Sequence, residues 1–255
     1  MRDTAFSVTG NGPVVILVHG MGLNLQMWWG QLPQLARNFK VVRYDLLGHG
    51  RSQVRSGPYD MTDLIDQLTR LLDHLKIQHC YLVGFPLGGL IAQAFTVAFP
   101  GKVSRLAVLN TGYDRSHKER AGLIERLRIA RRGSYKSTIE MAMERWFTEE
   151  FAVSHPEVVD EVRHWMHSND PDVYAEIYKV LAYGDRALAS ELAKIRCPTL
   201  VMTCEDDIGS PPAMAGRMAL AIPGAELAIV PELRHMGLME KSSAFNKILI
   251  SFLMA

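Results

Sequence analysis

The chain has 255 residues, 48% of them apolar, enough for one substantial core and near the upper size of a single domain. Lysine plus arginine (28) nearly cancels aspartate plus glutamate (27), which leaves no basic field for nucleic acid and no acidic tail. Met1-Arg2-Asp3-Thr4 lacks the apolar stretch of a secretory signal and no window reaches membrane-span length, so a cytoplasmic protein without a membrane partner is expected.

Short β-branched runs at 14–18, 40–44, 80–83, 103–109, 199–203 and 226–230 alternate with helical patterns, as in a parallel sheet with crossover helices. The runs are mostly continuous in hydrophobicity, as strands covered on both faces are. Between them Leu64, Ile65, Leu68, Leu71, Leu72 and Leu75 keep helical spacing, and so do Leu90, Ile91, Ala94, Phe95 and Ala98. The layout predicts a doubly wound α/β fold. From about 116 to 192 the patterns are helical without a strand candidate, and Pro156 and Pro171 stand where helices can start. This stretch is read as a helical cap over the carboxyl ends of the strands, inserted in a core domain made of 1–115 and 193–255. The odd cysteine number (Cys80, Cys197, Cys204), in or beside apolar runs, predicts buried reduced thiols rather than a disulfide.

Taken in chain order, Val18-His19-Gly20-Met21-Gly22 ends a strand in a glycine-bounded turn that can aim the Met21 N–H at an anionic oxygen. Tyr44-Asp45-Leu46-Leu47-Gly48-His49-Gly50-Arg51-Ser52 reads as a structural turn held by Asp45 and Arg51. Tyr81-Leu82-Val83-Gly84-Phe85-Pro86-Leu87-Gly88-Gly89-Leu90 has the strand, tight turn and helix of a nucleophile elbow. Beyond the helical stretch, Cys204-Glu205-Asp206-Asp207 ends a strand in carboxylates, and Arg234-His235-Met236-Gly237 follows the last strand.

With these segments in this order, the sequence resembles the α/β-hydrolase superfamily, in its lactonase, esterase and C–C hydrolase branch. That resemblance implies Pro86 at the nucleophile position, Met21 and Leu87 as oxyanion donors, Asp207 as the acid with Asp206 as the register alternative, and His235 as the base. Cys204 stands where the family keeps glycine, and Arg234 where glycine usually precedes the histidine. Asp207 would accept the Nδ1 hydrogen of His235 and leave Nε2 facing the crevice. Asp114 is a variant acid.

Proline has no hydroxyl, and its ring sets φ near about −65°, which excludes serine acyl-enzyme chemistry and predicts a relaxed elbow with a displaced Leu87 N–H. Three readings follow. The first is an enzyme in which His235 and Asp207 activate water or remove a substrate proton, acting on a small, largely apolar activated ester, lactone or 1,3-dicarbonyl. The others are a catalytically inactive small-molecule binding protein, similar to gibberellin receptors in its use of the fold, and a serine hydrolase inactivated by a serine-to-proline change. No substitute nucleophile is apparent, since nothing basic adjoins Cys204 and Ser52 belongs to the structural turn. Trp146, Phe147, Trp165, Met141, Met143 and Met166 form an aromatic and methionine stripe that suits the interior of the cap or the pocket wall, and Trp146, Phe147 and Met236 are the candidate pocket residues. No cofactor is implied, and His155, His164 and His167 lack metal-ligand partners, so no metal is assigned. A homodimer is left open.

Overall fold

In this computed structural model, which describes residues 3–55 and 57–255, the continuous apolar runs become the inner strands of one sheet. Strands β2 (Val14–Val18), β3 (Lys40–Tyr44), β4 (Cys80–Gly84), β5 (Val103–Leu109), β6 (Thr199–Cys204) and β7 (Glu226–Val230) pair in parallel. The spatial order is β1-β3-β2-β4-β5-β6-β7. β1 (Phe6–Thr9) is an addition to the sequence reading: it pairs antiparallel with β3 at the edge, and four half-exposed residues are too few for a periodic signal. At the other edge β7 is exposed at most positions rather than covered on both faces, because it has one neighbour.

The strand order reverses between β2 and β4, and in open parallel sheets ligands bind beyond the carboxyl ends of strands at such a switch point. The Gly20–Leu23 turn leaves β2 there, and the turn through Pro86 leaves β4 there. The helices are α1 (Leu32–Leu35), α2 (Met61–His74) and α3 (Leu87–Ala98), followed after β5 by α4 (His117–Arg131), α5 (Tyr135–Trp146), α6 (Glu149–Ser154), α7 (Pro156–His167) and α8 (Pro171–Ala189). After β6 come α9 (Pro212–Ala221), α10 (Gly237–Glu240) and α11 (Ser242–Met254). Helix starts are chemically marked: Asp60 with Asp63 and Ser116 with Glu119 form capping boxes, and Pro156 and Pro171 are first residues. Helix α3 packs against β4, β5 and α8, which is why its first ten residues are buried without a polar face. Among the described residues no helix is long and apolar enough to cross a membrane.

Polar contacts tie the α4–α8 layer together and to the loops that leave the sheet. Asp185 of α8 accepts from Arg120 Nη1 (2.6 Å), Arg120 Nη2 (2.9 Å) and the Arg115 N–H (2.8 Å), all buried. Burial alone would raise the Asp185 carboxyl, but the two arginines hold it below its ordinary value. On the opposite side Arg234 Nη1 donates to the Phe147 carbonyl (2.9 Å), the Met236 N–H donates to the Trp146 carbonyl (2.8 Å) and Thr148 Oγ1 donates to Glu240 (2.6 Å). Arg234 thus satisfies carbonyls at the C-terminal end of α5, a task that glycine could not perform.

Candidate active site

Two buried histidines shape the first loop. His19 Nε2 accepts the Leu46 N–H (2.9 Å) and its Nδ1–H donates to the Gly20 carbonyl (2.7 Å). His49 Nε2 accepts the Gly22 N–H (3.0 Å) and its Nδ1–H donates to the Leu47 carbonyl (3.1 Å). Desolvation keeps both rings neutral, lowering their pKa values to about 4 and about 3. The loop is held from outside as well, by Asn169 Nδ2 on the Gly22 carbonyl (2.9 Å). Gly22 is therefore engaged through both its N–H and its carbonyl, while the neighbouring Met21 N–H donates to none of the described residues. Asp45 anchors the neighbouring turn through backbone amides, accepting from Leu25 (2.7 Å) and Arg51 (2.9 Å); the Arg51 contribution is its N–H, not its guanidinium.

At the β4–α3 turn the Phe85 N–H donates to the Val18 carbonyl (3.0 Å) and the Gly88 N–H donates to the Phe85 carbonyl (2.7 Å). A Cβ at Gly84 would lie 2.2 Å from the Gly88 carbonyl oxygen, and one at Gly88 would lie 2.1 Å from that of Val18, so only glycine allows this approach. Pro86 itself has φ −21° and ψ −65°, outside the left-handed region. The Leu87 N–H donates to none of the described residues, and the Leu87 side chain is buried in the core rather than in the cavity wall.

His235 Nδ1 lies 2.7 Å from Asp207 Oδ2. A carboxylate only accepts, so Nδ1 carries the hydrogen and the Nε2 lone pair is left for chemistry. Asp207 is buried and also accepts from Asn110 Nδ2 (2.9 Å), Ser210 Oγ (2.7 Å), the Gly209 N–H (2.8 Å) and the Ser210 N–H (3.2 Å). Burial would raise its carboxyl, but the His235 charge and these donors outweigh it and hold the group well below the usual carboxylate range. Asp206 and Asp114 are exposed, and neither takes the acid's place beside His235. The His235 ring is flanked by Phe85 (centroids 5.0 Å apart) and Trp146 (5.5 Å). Cys204 is buried, and its thiol is pushed up to about 12, chiefly by desolvation.

His235, Asp207, Pro86 and Met21 share one cavity of about 530 Å³ roofed by α4, α5 and α8. Trp146 is in its wall. Phe147 and Met236, both expected there, are not: Phe147 follows the end of α5 in extended conformation and stacks on Phe151 at 5.7 Å, and Met236 is fully buried beneath the His235 loop. Alongside the cavity's apolar lining, Arg115, Lys118, Arg126 and Arg145 reach the cavity. Sequence reasoning missed these cations and Asn110. On α4, Lys118, Gly122, Leu123 and Arg126 share one face, so a helical projection could have flagged a charge on an inward stripe.

Residues 13–242 match the family model for the alpha/beta hydrolase fold. The chain is similar to the (E)-2-((N-methylformamido)methylene)succinate hydrolase of Acinetobacter baylyi, 29% identical with 92% of this chain and 88% of that protein covered. It is also similar to 3-oxoadipate enol-lactonase 2 of the same organism, 29% identical over 92% of this chain and 86% of that one. The crystal structure of the enol-lactonase from Burkholderia xenovorans superposes with a TM-score of 0.92 at 28% identity, covering 99% of this chain and 96% of that chain.

Proposed function

We infer the activity from one premise: the chain belongs to the α/β-hydrolase fold family. The reading supported best is a hydrolase for a small activated carbonyl compound, an enol-lactone or ester, in which His235 and Asp207 act on water directly and no acyl-enzyme forms. The single observation that carries it is the 2.7 Å contact between His235 Nδ1 and a buried Asp207 in a cavity whose elbow residue, Pro86, offers no hydroxyl. Relatives named for a methylenesuccinate hydrolase and an enol-lactonase support an activated carbonyl as the substrate.

In this scheme water in the cavity gives a proton to His235 Nε2 as its oxygen bonds to the carbonyl carbon. The carbonyl π electrons move onto oxygen, and the free N–H groups of Met21 and Leu87 are the donors available to that oxyanion. Collapse re-forms the carbonyl, breaks the bond to the leaving oxygen and returns the proton from the imidazolium to it. Asp207 stabilises the imidazolium without taking its proton. Sites without a nucleophile can retain roughly 10³ to 10⁴-fold acceleration over water, so slow turnover of activated substrates is expected and rapid turnover of plain esters is not.

Pro86 favours one second reading, a small-molecule binding protein that keeps the fold without turnover. Kinetics on a panel of enol-lactones and p-nitrophenyl esters separate the two. The hydrolase reading expects measurable turnover that His235→Ala abolishes, and equal near-zero rates with and without His235 would leave only binding. Pro86→Ser should gain labelling by a serine-directed phosphonate, and the unaltered protein should show none; a variant that still resists the probe would remove Pro86 from the nucleophile position.

A further inference from the structure

We propose that Arg126 and Arg145 form a carboxylate-binding subsite in the cavity, so that the compound taken up carries a carboxylate within short reach of its reactive carbonyl. The carbonyl's role rests on the reaction proposed above, whereas the binding of the carboxylate does not.

The cavity's charges are unequally paired. Arg115 is committed to Asp185, and Glu119 is committed to Arg217 at 3.1 Å. Arg126 and Arg145 have no such partner. Arg126 spends its Nε–H on the Tyr178 hydroxyl (2.9 Å) and Arg145 its Nε–H on the Met141 carbonyl (2.8 Å), and among the described residues neither makes an ion pair. Fixing Nε in this way leaves the Nη edge of each guanidinium as the free donor surface, and both side chains line the cavity.

Two half-buried cations facing one space destabilise each other, and desolvation followed by the Arg126 charge holds the Arg145 guanidinium below its ordinary value. Such an arrangement is stabilised by an anion, and a planar guanidinium edge matches a carboxylate with two parallel hydrogen bonds. The position suits a substrate handle. Arg145 and His235 line the same cavity, so an anion held on Arg145 would share the space that the base faces. Lys118, exposed and also in the cavity wall, adds a charge that favours anion entry.

Calorimetric titration with three probes tests this: monomethyl glutarate, which carries one carboxylate and one ester carbonyl, neutral dimethyl glutarate, and inorganic phosphate. Monomethyl glutarate should bind the unaltered protein and His235→Ala alike. Loss of a charged hydrogen-bonding partner predicts affinity at least about tenfold weaker in Arg126→Gln and in Arg145→Gln, with part of it recovered in Arg145→Lys. Binding of the unaltered protein should also weaken as salt rises from about 0.05 to about 0.5 M, a readout that does not depend on how the variants fold. The subsite is overturned if dimethyl glutarate binds as tightly as the monoester, if affinity is indifferent to salt, or if folded arginine variants bind undiminished. Phosphate binding more tightly than the monoester through the same arginines would overturn the carboxylate assignment. Intact arginine-dependent binding with no turnover of any ester or lactone would instead strike the reaction and leave the subsite standing.

Discussion

Asn110 donates its Nδ2–H to Asp207 at 2.9 Å, on the same oxygen, Oδ2, that faces His235 Nδ1. Asn110 follows β5 with φ +47°, a left-handed conformation that asparagine tolerates better than most residues, and it is fully buried. Together with the amides of Gly209 and Ser210 it fixes which carboxylate oxygen meets the imidazole.

Removing this donor should therefore act on the ionised acid. Hydrogen bonds to charged groups contribute about 1.5–3 kcal/mol, so Asn110→Ala should lose about that much stability in urea unfolding at neutral pH. Asp207 has its folded pKa below the unfolded one, so its contribution is complete above about pH 4 and is lost as the pH falls through the folded value. The deficit of the variant should narrow in that acid range. A deficit that stays constant would show that Asn110 supports packing rather than the carboxylate charge.

Acid should also weaken the protein through His19 and His49. Both have folded pKa values far below the unfolded value of about 6.5, so they stay neutral in the native chain while the unfolded chain takes up protons. Their contribution is complete above about pH 6.5 and is lost between there and about pH 4 for His19 and about pH 3 for His49, at up to about 1.4 kcal/mol per pH unit for each ring. His49→Gln can still accept the Gly22 N–H through its amide oxygen and should flatten the slope. Equal slopes in urea melts from pH 7 to 4 would contradict the assignment of a neutral ring.

The Asp185 junction makes the strongest stability prediction. Asp185→Ala leaves Arg115 and Arg120 buried without their shared anion, and breaking one side of a buried ion pair costs about 3–5 kcal/mol. Denaturant titration should show a loss of that size, with the α4–α8 layer more open to proteolysis. A loss under about 1 kcal/mol, the usual worth of an exposed pair, would mean that water reaches the arginines.

Much of the fold was legible because its signals are local. Continuous runs such as Val15–Val18 announce two-sided burial, and Gly84 and Gly88 announce a turn that no Cβ permits. Asp207 and His235 were named from the resemblance to the α/β-hydrolases, and the fold brings them within hydrogen-bond distance of each other. What escaped depends on how distant segments meet. β1 exists because it pairs with β3, Asn110 matters only because β5 ends beside the turn after β6, and Arg126 and Arg145 gain meaning only when α4 and α5 are folded over the crevice. Phe147 and Met236 were misplaced because adjacency in sequence to Trp146 and His235 says nothing about which way each side chain turns.

The central claim is that His235, oriented by Asp207, works without a covalent intermediate because Pro86 stands at the elbow. Intact-protein mass spectrometry during turnover of an activated lactone or p-nitrophenyl ester tests it most directly. The account predicts product formation that requires His235, an unmodified protein mass throughout, and an acyl adduct only in Pro86→Ser. An acyl adduct on the unaltered protein, or turnover that survives His235→Ala, would contradict it.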